Sequence, residues 1–336
     1  MTLSQLDRRV NHLLFKFTCL LLTFFIGLRH EVGGDWSNYQ YIYAQISQIS
    51  WLQSLVYTDP GYGLSNWWAN QLGLSIHAVN FFCALIFMWG VRRFCLSLPQ
   101  PWFALLIAIP YLVSAVAMGY TRQSAAIGFF LLGLVQLLDK KTWMFVFFIL
   151  MGVLFHKSVA VMLILVPLTR PQQKYGQLFF IWSFVAVVAL ICFFLMMERF
   201  AGMWNLYIVK GMKSDGGLAR ALLNLVPAVC FLITREKWKY RWPRYYILLF
   251  WMSIAALFLF PLQFFISTAV DRLSLYLVPL QMMVFSSLPL LFSSAQRYVV
   301  ITATLVFYSV VYSAWLFFSY WAQCCWIPYN NILLQL

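Results

Sequence analysis

The sequence predicts an all-α, polytopic integral membrane bundle of about eleven transmembrane helices, forming a single domain over 1–336. Three observations predict it. Hydrophobic residues make up 63% of the chain and charged residues only 10%, where a soluble domain carries about 25% charged residues. So few charges cannot cover a soluble surface. Mean hydropathy is +0.80, and apolar runs suited to a hydrocarbon core of about 30 Å recur from end to end. Segments of about ten residues alternating apolar and polar side chains, the mark of a membrane barrel, do not occur.

The apolar runs place spans at 11–28, 74–91, 101–118, 121–138, 142–156, 157–169, 177–197, 218–233, 245–263, 273–291 and 298–318. The first follows "SQLDRRVNHLLFKF", which resembles the basic start of a signal peptide. No small-residue cleavage pattern follows, so this reads as an uncleaved span. The pair over 142–169 is short for full crossings. Either the membrane thins there or the turn between them lies below the surface.

Lysine and arginine orient the spans. With the N-terminus in the cytoplasm, the cytoplasmic segments hold Arg8, Arg9, Lys16, Arg92, Arg93, Lys140, Lys141, Arg170, Lys174, Arg297 and the basic link "TREKWKYRWPR". The outer side holds the smaller set Arg29, Arg122, Lys157, Arg199, Lys210, Lys213, Arg220 and Arg272. An odd number of spans puts the C-terminus outside. The net charge of +14 is accounted for by this orienting excess, and nucleic acid is not an expected partner. Of the seven cysteines, Cys19, Cys83, Cys95, Cys192 and Cys230 lie in or beside apolar runs as small hydrophobes. Adjacent Cys324 and Cys325 suit neither an easy mutual disulfide nor a metal site.

Two outer loops are long, 29–73 and 198–217. The first carries "DWSNYQYIYAQISQIS" and "YTDPGYGLSNWWANQLG". Its Tyr and Trp side chains fit an interfacial belt, and they equally fit packing on sugar rings. The second, with "NLYIVKGMKSDGG", turns at its Gly pair.

The outer cations stand where apolar helices start or stop. Arg29 closes the first span, Arg122 sits in the turn before the fourth, and His156 and Lys157 share the turn between the fifth and sixth. Arg220 opens the eighth span, and Arg272, beside Asp271, opens the tenth. A single such arginine can snorkel to headgroups. Five helix ends bearing cations on one face fit a wet cavity instead, because unpaired charge in hydrocarbon is costly. Guanidinium groups fork onto phosphate oxygens, so the set suits a pyrophosphate. His156 is the first candidate for a base, since nearby cations favour its neutral form. Glu31, Asp35, Asp59, Glu198, Asp215 and Asp271 are read as counter-charges, with Glu31 beside Arg29. No glycine-rich phosphate loop, HExxH, nucleophile elbow or D-x-D pair occurs, and neither a metal nor a cofactor is implied.

The motifs "RHEVGGDWSNY" (29–39), "DPGY" (59–62), "TRQSAAIG" (121–128), "FHKSVAVMLI" (155–164), "DRLSLY" (271–276) and "IPYNN" (327–331) occur in this order. Together they resemble the EpsG-like branch of the Wzy polysaccharide polymerases over nearly the whole chain. The chain departs from that pattern in having Asp59 where Glu commonly precedes Pro-Gly-Tyr, and in the doubled Gly33-Gly34. The resemblance implies a GT-C-like membrane glycosyltransferase at the periplasmic face of a bacterial inner membrane. It would join repeat units of O-antigen, capsule or exopolysaccharide carried on undecaprenyl pyrophosphate, as both donor and acceptor, without nucleotide sugar or metal. Membrane lipid and a chain-length regulator are the other partners expected.

On this reading Arg122, Arg220, Arg272, Arg29 and Lys157 bind pyrophosphate. His156 is the base with Asp35 as runner-up, and Trp36, Tyr39, Tyr62, Trp67 and Tyr120 pack on sugars. Two other functions would use a similar cationic cavity. A flippase for the same lipid would place polar residues at mid-membrane depth, and a ligase would use the same donor with a different acceptor.

Overall fold

The computed structural model describes residues 3–169 and 216–335. The predicted span 177–197, nearly all of the second long loop, and Cys192, Arg170, Lys174, Glu198, Arg199, Lys210, Lys213 and Asp215 lie outside the described residues. What is described is helical, with no strand, as the composition requires. The first helix, α1, runs Leu3–Gly27. Three short helices follow: α2 (Trp36–Ile46), α3 (Trp51–Tyr57) and α4 (Pro60–Gln71). Then come α5 (Ile76–Leu96), α6 (Pro101–Ala117), α7 (Thr121–Leu138) and α8 (Thr142–Val153), with α9 (Lys157–Thr169) before the undescribed segment. After it stand α10 (Gly217–Arg241), α11 (Pro243–Leu262), α12 (Ser267–Leu291), α13 (Ser294–Phe318) and α14 (Tyr320–Cys325).

Seven of these are long and apolar enough to cross a membrane: α1, α5, α7, α10, α11, α12 and α13. The predicted spans over α6, α8 and α9 are shorter apolar helices. At 12 residues, α8 reaches only about 18 Å at 1.5 Å per residue. The turn joining α8 to α9 is tied to the start of α4: the Gly61 amide donates to the Leu154 carbonyl at 2.7 Å. A side chain at position 61 would press on that carbonyl and on the Phe155 ring, so glycine permits the contact.

The centre of the bundle is α7 and α12, whose most apolar windows are 83% and 89% buried. Around them α13 is 11% and α1 28% buried, leaving apolar faces for lipid. The α5–α7 crossing is very close: a Cβ at Gly90 would stand 2.1 Å from the Gly128 carbonyl oxygen, so only glycine fits. Midway along α6 the helix widens to a π-helix over Ile109–Ala117. Its Ser114 carbonyl accepts from Trp326 Nε1 at 2.8 Å, a bond from outside the helix.

The long connection 29–73 is not an irregular loop throughout: it contains the helices α2–α4, which the sequence expectation did not include. Their starts are written in side chains. Ser50 and Gln53 form a capping box before α3, and Pro60 occupies the first turn of α4. Gly33, at φ +107°, makes the sharp turn into α2, where a side chain would collide with the Met118 carbonyl.

Residues 325–332 fasten this region to the end of α1. Gly33 N donates to Cys325 O at 2.8 Å, His30 N to Asn330 O at 3.0 Å, and Ile332 N to Leu28 O at 3.0 Å. Arg29 and Asn331 form an isolated antiparallel bridge. The start of α1 and the C-terminal segment therefore lie at opposite ends of the bundle. Cys324 and Cys325 are joined as a disulfide with Cα atoms 3.8 Å apart, contrary to the expectation for adjacent cysteines. Cys19, Cys83 and Cys95 are buried and Cys230 half-buried, as expected of small hydrophobes.

Candidate functional site

The end of the bundle where α1 stops and α7 starts gathers the charged residues of the quoted motifs. Asp35 occupies the N-cap position of α2, yet its side chain makes no capping bond. It is half-buried, and burial raises its carboxyl above the ordinary value while the Arg122 and Arg272 guanidinium groups pull the other way.

Arg122, in the first turn of α7, donates to Asp59 Oδ2 and to Thr58 Oγ1, each at 3.0 Å. It also lies 5.9 Å from the centre of the Tyr39 ring and 5.8 Å from that of Tyr62. Arg220 grips Asp271 through both carboxylate oxygens, one of them at 2.9 Å. Asp271 thus serves the arginine of α10 and not its sequence neighbour Arg272. The Arg272 side chain is exposed and has no hydrogen-bond or ion-pair partner among the described residues. Lys157, half-buried at the start of α9, is likewise unpaired among them.

Arg29 is placed differently from the rest. It is 1% exposed. Its Nε donates to Val32 O at 3.1 Å, Nη1 to Ile26 O at 2.8 Å and Nη2 to Thr121 Oγ1 at 2.7 Å. The guanidinium ties the end of α1 to the start of α7, with its donors used inside the protein. Glu31 is not its counter-charge; the Glu31 carboxylate stands 3.9 Å from His30. His30 and His77 face each other with ring nitrogens 3.1 Å apart.

His156 caps the start of α9. Its Nδ1 accepts from the Ser158 backbone amide at 3.3 Å and lies 2.7 Å from Ser158 Oγ. Ser158 Oγ lies 2.7 Å from the Tyr276 hydroxyl, which has the Gln123 amide as a further polar partner. Burial, helped by Arg122 and Arg272, pushes the imidazole down to about 3. It is therefore neutral at physiological pH.

Of the expected sugar platforms, Trp36, Tyr39 and Tyr62 are buried, so their faces are spent on packing. Trp67 is half-buried against Trp68. Tyr120 is 38% exposed. Trp321 joins it: 45% exposed, with its ring 3.4 Å from where a Cβ on Gly34 would stand. Sequence reasoning missed Ser158 as the partner of His156, and Tyr276 and Gln123 as the next members of that hydrogen-bonded chain, although all three lie in the motifs. Trp321 carried no motif signal. Among the described residues no group of three or more His, Cys, Asp or Glu side chains could hold a metal ion.

Neither a search of curated proteins nor one of solved structures finds a match. The sequence profile of the EpsG family matches residues 12–331, which takes in every motif assembled at this end of the bundle. The chain therefore belongs to the EpsG family.

Proposed function

We propose that this protein is a bacterial polysaccharide polymerase that transfers a growing glycan from undecaprenyl pyrophosphate to a sugar hydroxyl of an incoming lipid-linked repeat unit. Membership of the EpsG family supports the polymerase class. The observation that carries the finer reading is the pairing pattern of the charges. Arg122 and Arg220 hold carboxylates, whereas Arg272 and Asp35 share a field without a direct bond.

Arg272, exposed and unpaired among the described residues, takes the donor pyrophosphate, and Lys157, also unpaired among them, is the second cation offered to it. Arg122 and Arg220 add positive potential from fixed positions. Asp35 is the base. Its conjugate acid lies above the ordinary carboxylate value, whereas that of His156 lies at about 3, so the carboxylate is the stronger proton acceptor. The acceptor hydroxyl gives its proton to Asp35, its oxygen bonds to the anomeric carbon, and the bond from that carbon to the pyrophosphate oxygen breaks. The electron pair leaves on undecaprenyl pyrophosphate, where the cations stabilise it most as the bond breaks. Tyr120 and Trp321 offer aromatic faces to the sugars.

The bundle would lie in the inner membrane with this end toward the periplasm. Supporting that orientation, the opposite end carries Arg92, Arg93, Lys140, Lys141 and the basic close of α10. The test is incubation of purified protein with its lipid-linked repeat unit and no nucleotide sugar, with product length read on a gel. A ladder supports the reading. Transfer of single units to another acceptor would point to a ligase.

A further inference from the structure

The reaction above leaves His156, the first candidate for a base, without a task, and its hydrogen bonds limit what it can do. A backbone amide can only donate, so the nitrogen that accepts from Ser158 N, Nδ1, carries no hydrogen. With Nδ1 bare, the single hydroxyl hydrogen of Ser158 also points to it. Ser158 Oγ must then accept from the Tyr276 hydroxyl. The chain of donors runs one way, from Tyr276 through Ser158 to Nδ1. In a neutral imidazole the ring hydrogen is therefore on Nε2. Nε2 has no partner among the described residues.

We propose that His156 is a hydrogen-bond donor, presenting Nε2–H to an anionic phosphate oxygen of the bound lipid carrier, with Ser158 and Tyr276 as positioning residues that fix the tautomer. The assignment of the ligand rests on the polymerase reading; the assignment of the tautomer does not. The lone pair a base would use is already occupied by two donors. The free edge of the ring carries a hydrogen and shares its surroundings with Arg122 and Arg272, where an anion is drawn and an imidazolium is not. Donor chains of this kind polarise in series, which strengthens the last donor.

Two measurements test it on the full-length protein. The first is nitrogen NMR of histidine-labelled protein in nanodiscs, with His156→Gln used to assign the signal. The expected result at neutral pH is a bare Nδ1 and a protonated Nε2, with Ser158→Ala or Tyr276→Phe mixing the tautomers. A hydrogen on Nδ1, or an imidazolium, overturns the proposal whatever the enzyme's substrate. Titration of the same sample with inorganic pyrophosphate is expected to move the Nε2–H resonance, and an unmoved resonance overturns the assignment of the ligand.

The second measurement is polymer formation. Loss of an oxyanion donor costs about 10²–10³-fold in rate, which is the expectation for His156→Ala. His156→Gln, whose amide places an N–H near the position of Nε2, keeps part of the activity. Equal loss in both variants, with both inserted and folded, overturns the donor role and returns His156 to the part of a base. Absence of any polymer from the native protein overturns the polymerase reading instead and leaves the NMR result to decide the tautomer.

Discussion

Besides the exposed Glu31, the carboxylates Asp35, Asp59 and Asp271 stand at this end of the bundle among the described residues, and their surroundings separate them. Asp59 and Asp271 each meet a guanidinium directly; Asp35 is half-buried, raised, and bonded to neither arginine that acts on it. A group whose folded pKa lies above its unfolded value destabilises the fold while ionised, and that cost disappears as pH falls through the folded value. Asp35→Asn is therefore expected to raise the thermal midpoint at pH 7 in detergent. It should also lower polymerisation by about 10²–10⁴-fold, the usual contribution of a general base. Native activity should fall as pH drops through a value above the ordinary Asp figure of about 3.9. Arg122 behaves in the opposite sense. Its side chain is 26% exposed and that of Asp59 11%, and Arg122→Ala takes the guanidinium away from that carboxylate. Breaking a buried pair typically costs about 3–5 kcal/mol, so this variant is expected to lose folded protein on size-exclusion. Replacing both residues at once should recover part of the loss. Both arginines looked alike in the sequence, since each stood at a helix end; what distinguishes Arg122 from Arg272 is a carboxylate 63 positions away, which no local pattern reports.

At the scale of elements, the long helices were legible because hydropathy alone marks them, and the predicted limits of α7, 121–138, match the helix Thr121–Leu138. The helices α2–α4 were not. They are 7 to 12 residues long, with aromatic and polar side chains mixed, so they carry no apolar run. Their caps were readable all the same, in Ser50 with Gln53 and in Pro60. Arg272 was expected at the start of its span and instead lies in the second turn of α12, because "STAVD" is polar yet continues the helix. The α5–α7 crossing gives a prediction of its own. Gly90→Leu forces a side chain into the Gly128 carbonyl. Overpacking costs about 1–3 kcal/mol where the surroundings can shift, and backbone on both sides limits that shift. The expected result is a lower thermal midpoint with the charged residues untouched, and a native midpoint would contradict the close crossing.

For the whole molecule, two ends differ in chemistry. One carries paired and unpaired charges of both signs under the cover of α2–α4 and the C-terminal segment; the other is dominated by lysine and arginine. The asymmetry was visible in the sequence as a charge bias between alternate links. The interlock of Arg29, Thr121 and Asn331 was not, because it joins three stretches distant in the chain. A periplasm-dependent phosphatase fused after residue 336 should be active, and one fused after residue 140, at the basic end, inactive. The reverse pattern would invert the bundle. On the proposed function, Arg272 and Asp35 work on a lipid pyrophosphate at one end of this bundle. These roles are tested most directly by product length from purified native protein, Arg272→Ala and Asp35→Asn, each supplied with the lipid-linked repeat unit. A ladder is expected from the native protein and a single repeat unit from both variants, each folded; normal ladders from the two variants would rule these roles out.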